Sequence, residues 1–223
     1  MMSDEIVLLD FWPSPFGIRV RIALAEKEVK YEYKEDVKKY LREKSPLLLK
    51  MNPIHKKIPV LIHNGKPITE SLNIVEYVDK VWNQKSSLLP ADPYQRALAR
   101  FWADYIDKKV YDGGKKICMS KGEELEKAKK DFIGILKVLE SELGEKPYFG
   151  GQRMGLVDVA LIPFYSRFYS YEKVGKFSIE EVCPKLVSWG KKCMENESVS
   201  KSLPDPEKVF EFMLVLKKWI GVD

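Results

Sequence analysis

The chain is short of the residues that most often carry metal and covalent chemistry. Its 223 residues include three cysteines, Cys118, Cys183 and Cys193, and two histidines. The cysteine count is odd, the spacings are irregular and no C-x-x-C occurs. This argues against a disulfide framework or a zinc site, and no metal ligands are assigned. No apolar stretch approaches the ~20 residues of a membrane span. The first residues, MMSDEIVLLDFW, carry acids and only a short apolar run, unlike a secretory signal. A cytosolic, reducing setting with no membrane partner is therefore expected. Nor is there a tract of one charge sign: 38 basic and 33 acidic residues are interspersed, for a net charge of +5. Nothing here points to nucleic acid, although a mild positive field suits an anionic small substrate.

What is present is ordinary globular material, 45% apolar and 32% charged, in a length suited to two small domains. The first part reads as mixed α/β. EIVLLDF (Glu5 to Phe11) suits a buried strand, broken by Pro13 and Pro15. Phe16, Val20, Ala23, Leu24 and Lys27 then recur at helical spacing, with Arg19, Arg21 and Glu26 on other faces. Ser14-Pro15 fits an N-cap followed by proline at the first helical position. Tyr31 to Lys34 reads as a second strand, parallel to the first, and a short helix is expected over Leu41 to Met51. Ile58 to His63 is a third strand, Asn64-Gly65 a hairpin turn, Lys66 to Thr69 a fourth strand and Ser71 to Trp82 a helix.

The order β-α-β-α-β-β-α is thioredoxin-like, and residues 1–83 form the expected first domain. The polar stretch 84–92 reads as a linker, and 93–223 as an all-α domain. Its helices are expected at about 93–118, 121–143, 156–170, 179–195 and 206–219.

Three segments carry a likeness to a known family. DFWPSPFGIRVRIAL, then KSPLLLKMNPIHKKIPVLIHNGKPITES, and in the second half GGQRMGLVDVALIPF, closely resemble the plant tau class of glutathione transferases over nearly the whole chain. The resemblance implies a cytosolic enzyme in which bound glutathione, a co-substrate and not a cofactor, attacks hydrophobic electrophiles in detoxification and stress responses. It also implies a homodimer.

Ser14 alone reads as a helix cap. The same geometry suits an anion, because a helix N-terminus presents free N–H groups and partial positive charge. Glutathione reacts as its thiolate, and the resemblance implies that the Ser14 hydroxyl donates to that sulfur as the catalytic residue. It implies a cis Ile58-Pro59 bond, with the Ile58 backbone pairing with the cysteinyl backbone of glutathione as an added strand would. Glu70 and Ser71 read as helix capping or, by resemblance, as partners of the γ-glutamyl ammonium and carboxylate. Lys44 and Lys57 match lysines that hold the glycyl carboxylate. The segment before Lys44 is longer than the usual pattern, so Lys39 or Arg42 remains open as its substitute. Lys56 is expected to face water.

The electrophile pocket implied by the class is lined by the first turn, the fourth helix and the C-terminal segment. Phe11, Pro13, Phe16, Tyr111, Lys115, Phe168, Phe212 and Trp219 are its candidates, each equally readable as core. His55 and His63 have no Cys, Ser or Asp at a suggestive spacing and are read as non-catalytic. Asp158 is read as a structural acid opening the central helix, with Gly155 removing the hydroxyl half of a capping box.

Two other functions fit the same fold. A thiol-disulfide or dehydroascorbate reductase needs a cysteine at the first helix, where this chain has Ser14. A carrier of hydrophobic ligands needs no catalytic residue. Peroxidase activity through the glutathione thiolate also stays open.

Overall fold

The computed structural model describes residues 4–36 and 43–221, the side chain of Ile220 excepted. The chain divides into two compact units, Met1–Leu88 and Leu89–Asp223.

In the first unit, β1 (Ile6–Asp10), β2 (Glu32–Glu35), β3 (Val60–His63) and β4 (Lys66–Thr69) form one sheet in the order β2-β1-β3-β4. β1 pairs parallel with β2 and antiparallel with β3, and the β3–β4 hairpin turns on Asn64-Gly65, both at positive φ. Side chains alternate across the sheet. Val7, Leu9, Val60 and Ile62 therefore share one face, sealed by Leu48 from α2 (Pro46–Met51) with Leu47, Met51 and Ile58 around it. Leu8 and Leu61, paired in register and fully buried, take the other face. α1 (Pro15–Glu26) and α3 (Ser71–Val81) pack on one another.

Local differences from the sequence reading have local causes. α2 begins at Pro46, because the Ser45 hydroxyl accepts from Leu48 N at 3.0 Å and caps the helix there. Leu41, where that helix was expected to start, lies outside the described residues, while residues 43–45 are not helical. β3 starts at Val60, after the Ile58-Pro59 bond, which is cis as the resemblance implied.

The second unit is helical among its described residues. α4 (Pro93–Tyr105), a π-helical stretch (Ile106–Tyr111) and α5 (Asp112–Met119) run on without a break. α6 (Gly122–Leu143) follows, then α7 (Leu156–Leu161), a 3-10 turn (Ile162–Phe164) and α8 (Tyr165–Gly175). α9 (Ile179–Val182), α10 (Pro184–Met194), α11 (Glu197–Ser200) and α12 (Pro206–Ile220) complete it. The helix expected over 179–195 is two helices. Pro184 has no N–H to continue the ladder, and it forces Cys183 out of the helical region, to φ −146° and ψ 64°.

Asp158 anchors this unit. Its buried carboxylate accepts from the backbone N–H groups of Phe149, Gly150 and Gly155 and from Trp189 Nε1, all at 2.8–2.9 Å. The bond from Gly155 supplies the acid half of the capping box. Cys118, Cys183 and Cys193 are free and buried.

Candidate functional site

Two helix N-termini and one loop of the first unit carry the sequence-predicted glutathione residues. Ser14 ends the turn leaving β1, with its N–H bonded to Phe11 O at 2.9 Å. Pro15, at the first helical position, fixes the exit direction. The Ser14 hydroxyl accepts from Gly17 N at 3.3 Å, which leaves its own proton available to donate.

Beneath this turn lies a carboxyl group that the sequence reading did not single out. Asp10 is fully buried. Arg21 Nε approaches Oδ2 at 3.4 Å, and the other arm of the same guanidinium donates to Trp12 O at 2.8 Å. Burial pushes the Asp10 carboxyl up to about 6, against the pull of the Arg21 charge and the Phe11 N–H. Gly17 is required at this point, because a Cβ there would lie 1.6 Å from Asp10 Oδ1.

Arg19 departs from the expected pattern. Helical spacing puts it off the apolar face, yet it is fully buried. Nη1 donates to the Ser71 hydroxyl at 3.1 Å, and the guanidinium sits 5.1 Å from the centre of the Phe16 ring. A single side chain therefore joins the first turn of α1 to the first residue of α3. Lys27, read as part of the apolar stripe, is buried by pairing with Asp79 at 2.7 Å and Ser86 O at 2.7 Å.

Ser71 is buried at the start of α3, and Glu70 before it is exposed. Glu70 has φ 68° and makes no side-chain bond to its own helix. Its Oε1 instead accepts from His55 Nδ1 at 2.8 Å.

The loop that delivers His55 is built around Asn52, which is 5% exposed. The Asn52 amide donates to Lys57 O at 2.9 Å, and its Oδ1 accepts from His55 N at 3.2 Å. Beyond it, Ile58 makes no backbone hydrogen bond among the described residues, so its N–H and C=O remain open to an extended peptide. Lys44 and Lys57 are exposed, as is Lys56. Lys39 and Arg42, the alternatives to Lys44, lie outside the described residues.

Of the remaining candidates, Phe11 and Phe16 are half-buried and Pro13 is buried. In the second unit Tyr111 lies on the π-helical stretch, half-buried, and Lys115 is exposed on α5. Phe168 is buried on α8 with the Tyr165 ring 5.6 Å away. Phe212 and Trp219 lie on α12, half-buried and 38% exposed.

The histidines do have partners. Besides the His55–Glu70 contact, His63 meets the Tyr77 hydroxyl at 2.8 Å and Asp4 at 3.4 Å, which spacing along the chain did not reveal. Its ring also lies 5.1 Å from that of Trp82.

Residues 5–80 match the family model described as "Glutathione S-transferase, N-terminal domain", and residues 96–197 that of the C-terminal domain. "Probable glutathione S-transferase parC" of Nicotiana tabacum is 65% identical, with all of both chains covered. "Glutathione S-transferase U25" of Arabidopsis thaliana is 62% identical, covering 100% of this chain and 99% of that one. The rice protein OsGSTU1, solved in complex with glutathione, superposes with a TM-score of 0.94 at 50% identity over the whole of both chains. The Tau class protein MiGSTU from mango gives 0.89 at 42% identity, covering 95% of this chain and 98% of that one.

Proposed function

The chain belongs to the glutathione S-transferase family, in its plant tau class, and on that premise we propose that it joins the glutathione thiolate to hydrophobic electrophiles through Ser14. The observation that carries the assignment of Ser14 is its hydroxyl at the N-cap of α1. That hydroxyl takes one N–H from its own helix and keeps a proton for the sulfur. A donor aimed at the thiolate stabilises the anion and lowers the thiol pKa, and the helix N-terminus adds partial positive charge. Ser14 itself never ionises. The thiolate attacks the electrophilic carbon directly, the leaving group departs with the electron pair, and no covalent enzyme intermediate forms. Holding both reactants together contributes the rest of the rate gain.

The tripeptide is held along its length. Ile58 offers a backbone donor and acceptor to the cysteinyl residue. Glu70 and Ser71 receive the γ-glutamyl end, and Lys57, with Lys44, the glycyl carboxylate. Phe11, Pro13 and Phe16 in the first unit and Tyr111, Lys115, Phe168, Phe212 and Trp219 in the second are proposed to set electrophile preference. Substitution at each should then alter relative turnover of different electrophiles more than the glutathione KM. Pairing with a second copy of the chain and a cytosolic location complete the proposal. No helix among the described residues is long and apolar enough to cross a membrane.

A thiol-disulfide mechanism has little to work with. All three cysteines lie in the second unit, and burial pushes the Cys118 and Cys183 thiols up to about 11 and Cys193 further in the same direction.

Ser14→Ala tests the assignment. Turnover with an aryl halide should fall on the order of 10²-fold, the cost of losing one donor to a reacting anion. Calorimetry should still show glutathione binding. Full activity in Ser14→Ala would overturn the role of Ser14, and absence of glutathione binding to the native chain would overturn the function.

A further inference from the structure

We propose that His55 is a positioning residue for the γ-glutamyl amine: it holds one oxygen of the Glu70 carboxylate and leaves the other for the ammonium. This rests on the reading that Glu70 receives that ammonium.

Glu70 stands immediately before the first residue of α3. It is the N-cap residue of α3, a place where a side-chain oxygen, aspartate's above all among acids, accepts from the free N–H groups of the helix. Glu70 does not. Its carboxylate makes no cap bond and turns instead to His55 Nδ1 at 2.8 Å. The backbone favours this, since φ 68° is a conformation that a non-glycine residue holds only where its surroundings impose it. His55 is likewise not adrift on a loop. Asn52 Oδ1 fixes its backbone N–H, and the Asn52 amide clamps Lys57 O two residues further on, so one buried side chain sets both His55 and the approach to Ile58.

The pair does little for the fold. Side chains of His55 and Glu70 are 54% and 61% exposed, a setting in which ion pairs contribute little to stability. Its consequence is geometric. Nδ1 occupies Oε1 alone, and Oε2 stays open toward an incoming cation. Without His55 the carboxylate is free to swing onto the α3 N-terminus. There it would no longer face the ammonium, and it would compete with the γ-glutamyl carboxylate for the same N–H groups.

His55→Ala should raise the glutathione KM about fivefold to tenfold, the effect of losing one charge-assisted orienting bond. kcat at saturating glutathione, the electrophile KM and the melting temperature should not move. His55→Gln, which can still present an N–H to Glu70, should recover most of the loss. In a Glu70→Gln background, His55→Ala should add nothing. With a glutathione analogue lacking the γ-glutamyl amine, the native chain and His55→Ala should bind alike. If Glu70→Gln raises the glutathione KM and His55→Ala leaves it unchanged, the positioning role is overturned and the glutathione reading stands. An equal penalty for His55→Ala with the amine-free analogue also overturns it. If calorimetry finds no glutathione binding to the native chain, the functional reading itself fails.

Discussion

Asp10 should make the chain less stable at neutral pH than it would be with asparagine in its place. The group is fully buried, beside the Phe11 N–H and with the Arg21 guanidinium standing off at 3.4 Å. Burial raises the folded-state value from 3.8 to about 6. A folded value above the unfolded one means that the folded chain holds the proton more tightly. Stability from this group is therefore present at acid pH and lost as pH climbs through about 6. The rise corresponds to about 3 kcal/mol at pH 7.5, shrinking below about 1 kcal/mol near pH 4, where the folded state is protonated and the unfolded state is roughly half protonated.

Asp10→Asn keeps the shape and cannot ionise, and Arg21 keeps its bond to Trp12 O. Urea denaturation of the two proteins should show the variant ahead by up to about 3 kcal/mol at pH 7.5, with the gap closing toward pH 4. A variant no more stable than the native chain at pH 7.5, or a gap of the same size at both pH values, would refute the reasoning. The first outcome would mean that Arg21 offsets the burial cost in full.

Three further outcomes follow from single contacts. Gly17→Ala puts a methyl 1.6 Å from Asp10 Oδ1 and should lower stability by about 3 kcal/mol or more in thermal denaturation, with Asp10→Ala in the same chain recovering much of it. Lys27→Met strands Asp79, whose side chain is 6% exposed, and should cost about 3 kcal/mol in urea denaturation. Burial pushes the Asp79 carboxyl up, but Lys27, the Leu88 N–H and the Ser87 hydroxyl together hold it below its ordinary value, so this pair's contribution is present at neutral pH and lost as pH falls below about 4. Asp158→Asn turns an amide N–H toward two of the four donors now bound by the carboxylate and should cost about 2–4 kcal/mol, read as a shift in urea midpoint.

The sequence reading succeeded where structure is set by neighbours along the chain. The Ser14-Pro15 cap, the Asn64-Gly65 hairpin and, in the first unit, the order of strands and helices follow from spacing and turn chemistry, and the structure has them. Pro184 carried the signal for the break in 179–195, a donor removed and the preceding residue constrained, yet that stretch was expected as one helix. The π-helical stretch Ile106–Tyr111 was not legible, since no proline or other local signal marks it within the helix expected over 93–118.

Contacts that arrange the site escape such a reading for a different reason. Arg19 and Ser71 are 52 residues apart, and His55 and Glu70 are 15 apart. Arg19 shows the cost of judging a side chain by its periodicity. A helical wheel sends it to water, but burial of a guanidinium costs less where a hydroxyl accepts from it and an aromatic ring lies against it. Here Ser71 takes one donor and Phe16 lies beside the plane. The bond to Ser71 depends on where α3 packs, which nothing in residues 15–26 records. Asp10 and Gly17 show the same dependence at short range. Gly17 reads as a weak helix former, and only the carboxylate folded beneath it explains why a side chain cannot be added. The candidate residues were thus visible as residue types at helix starts and turns, while the positions of Arg19, His55 and Asp10 came from the packing that brings those starts together.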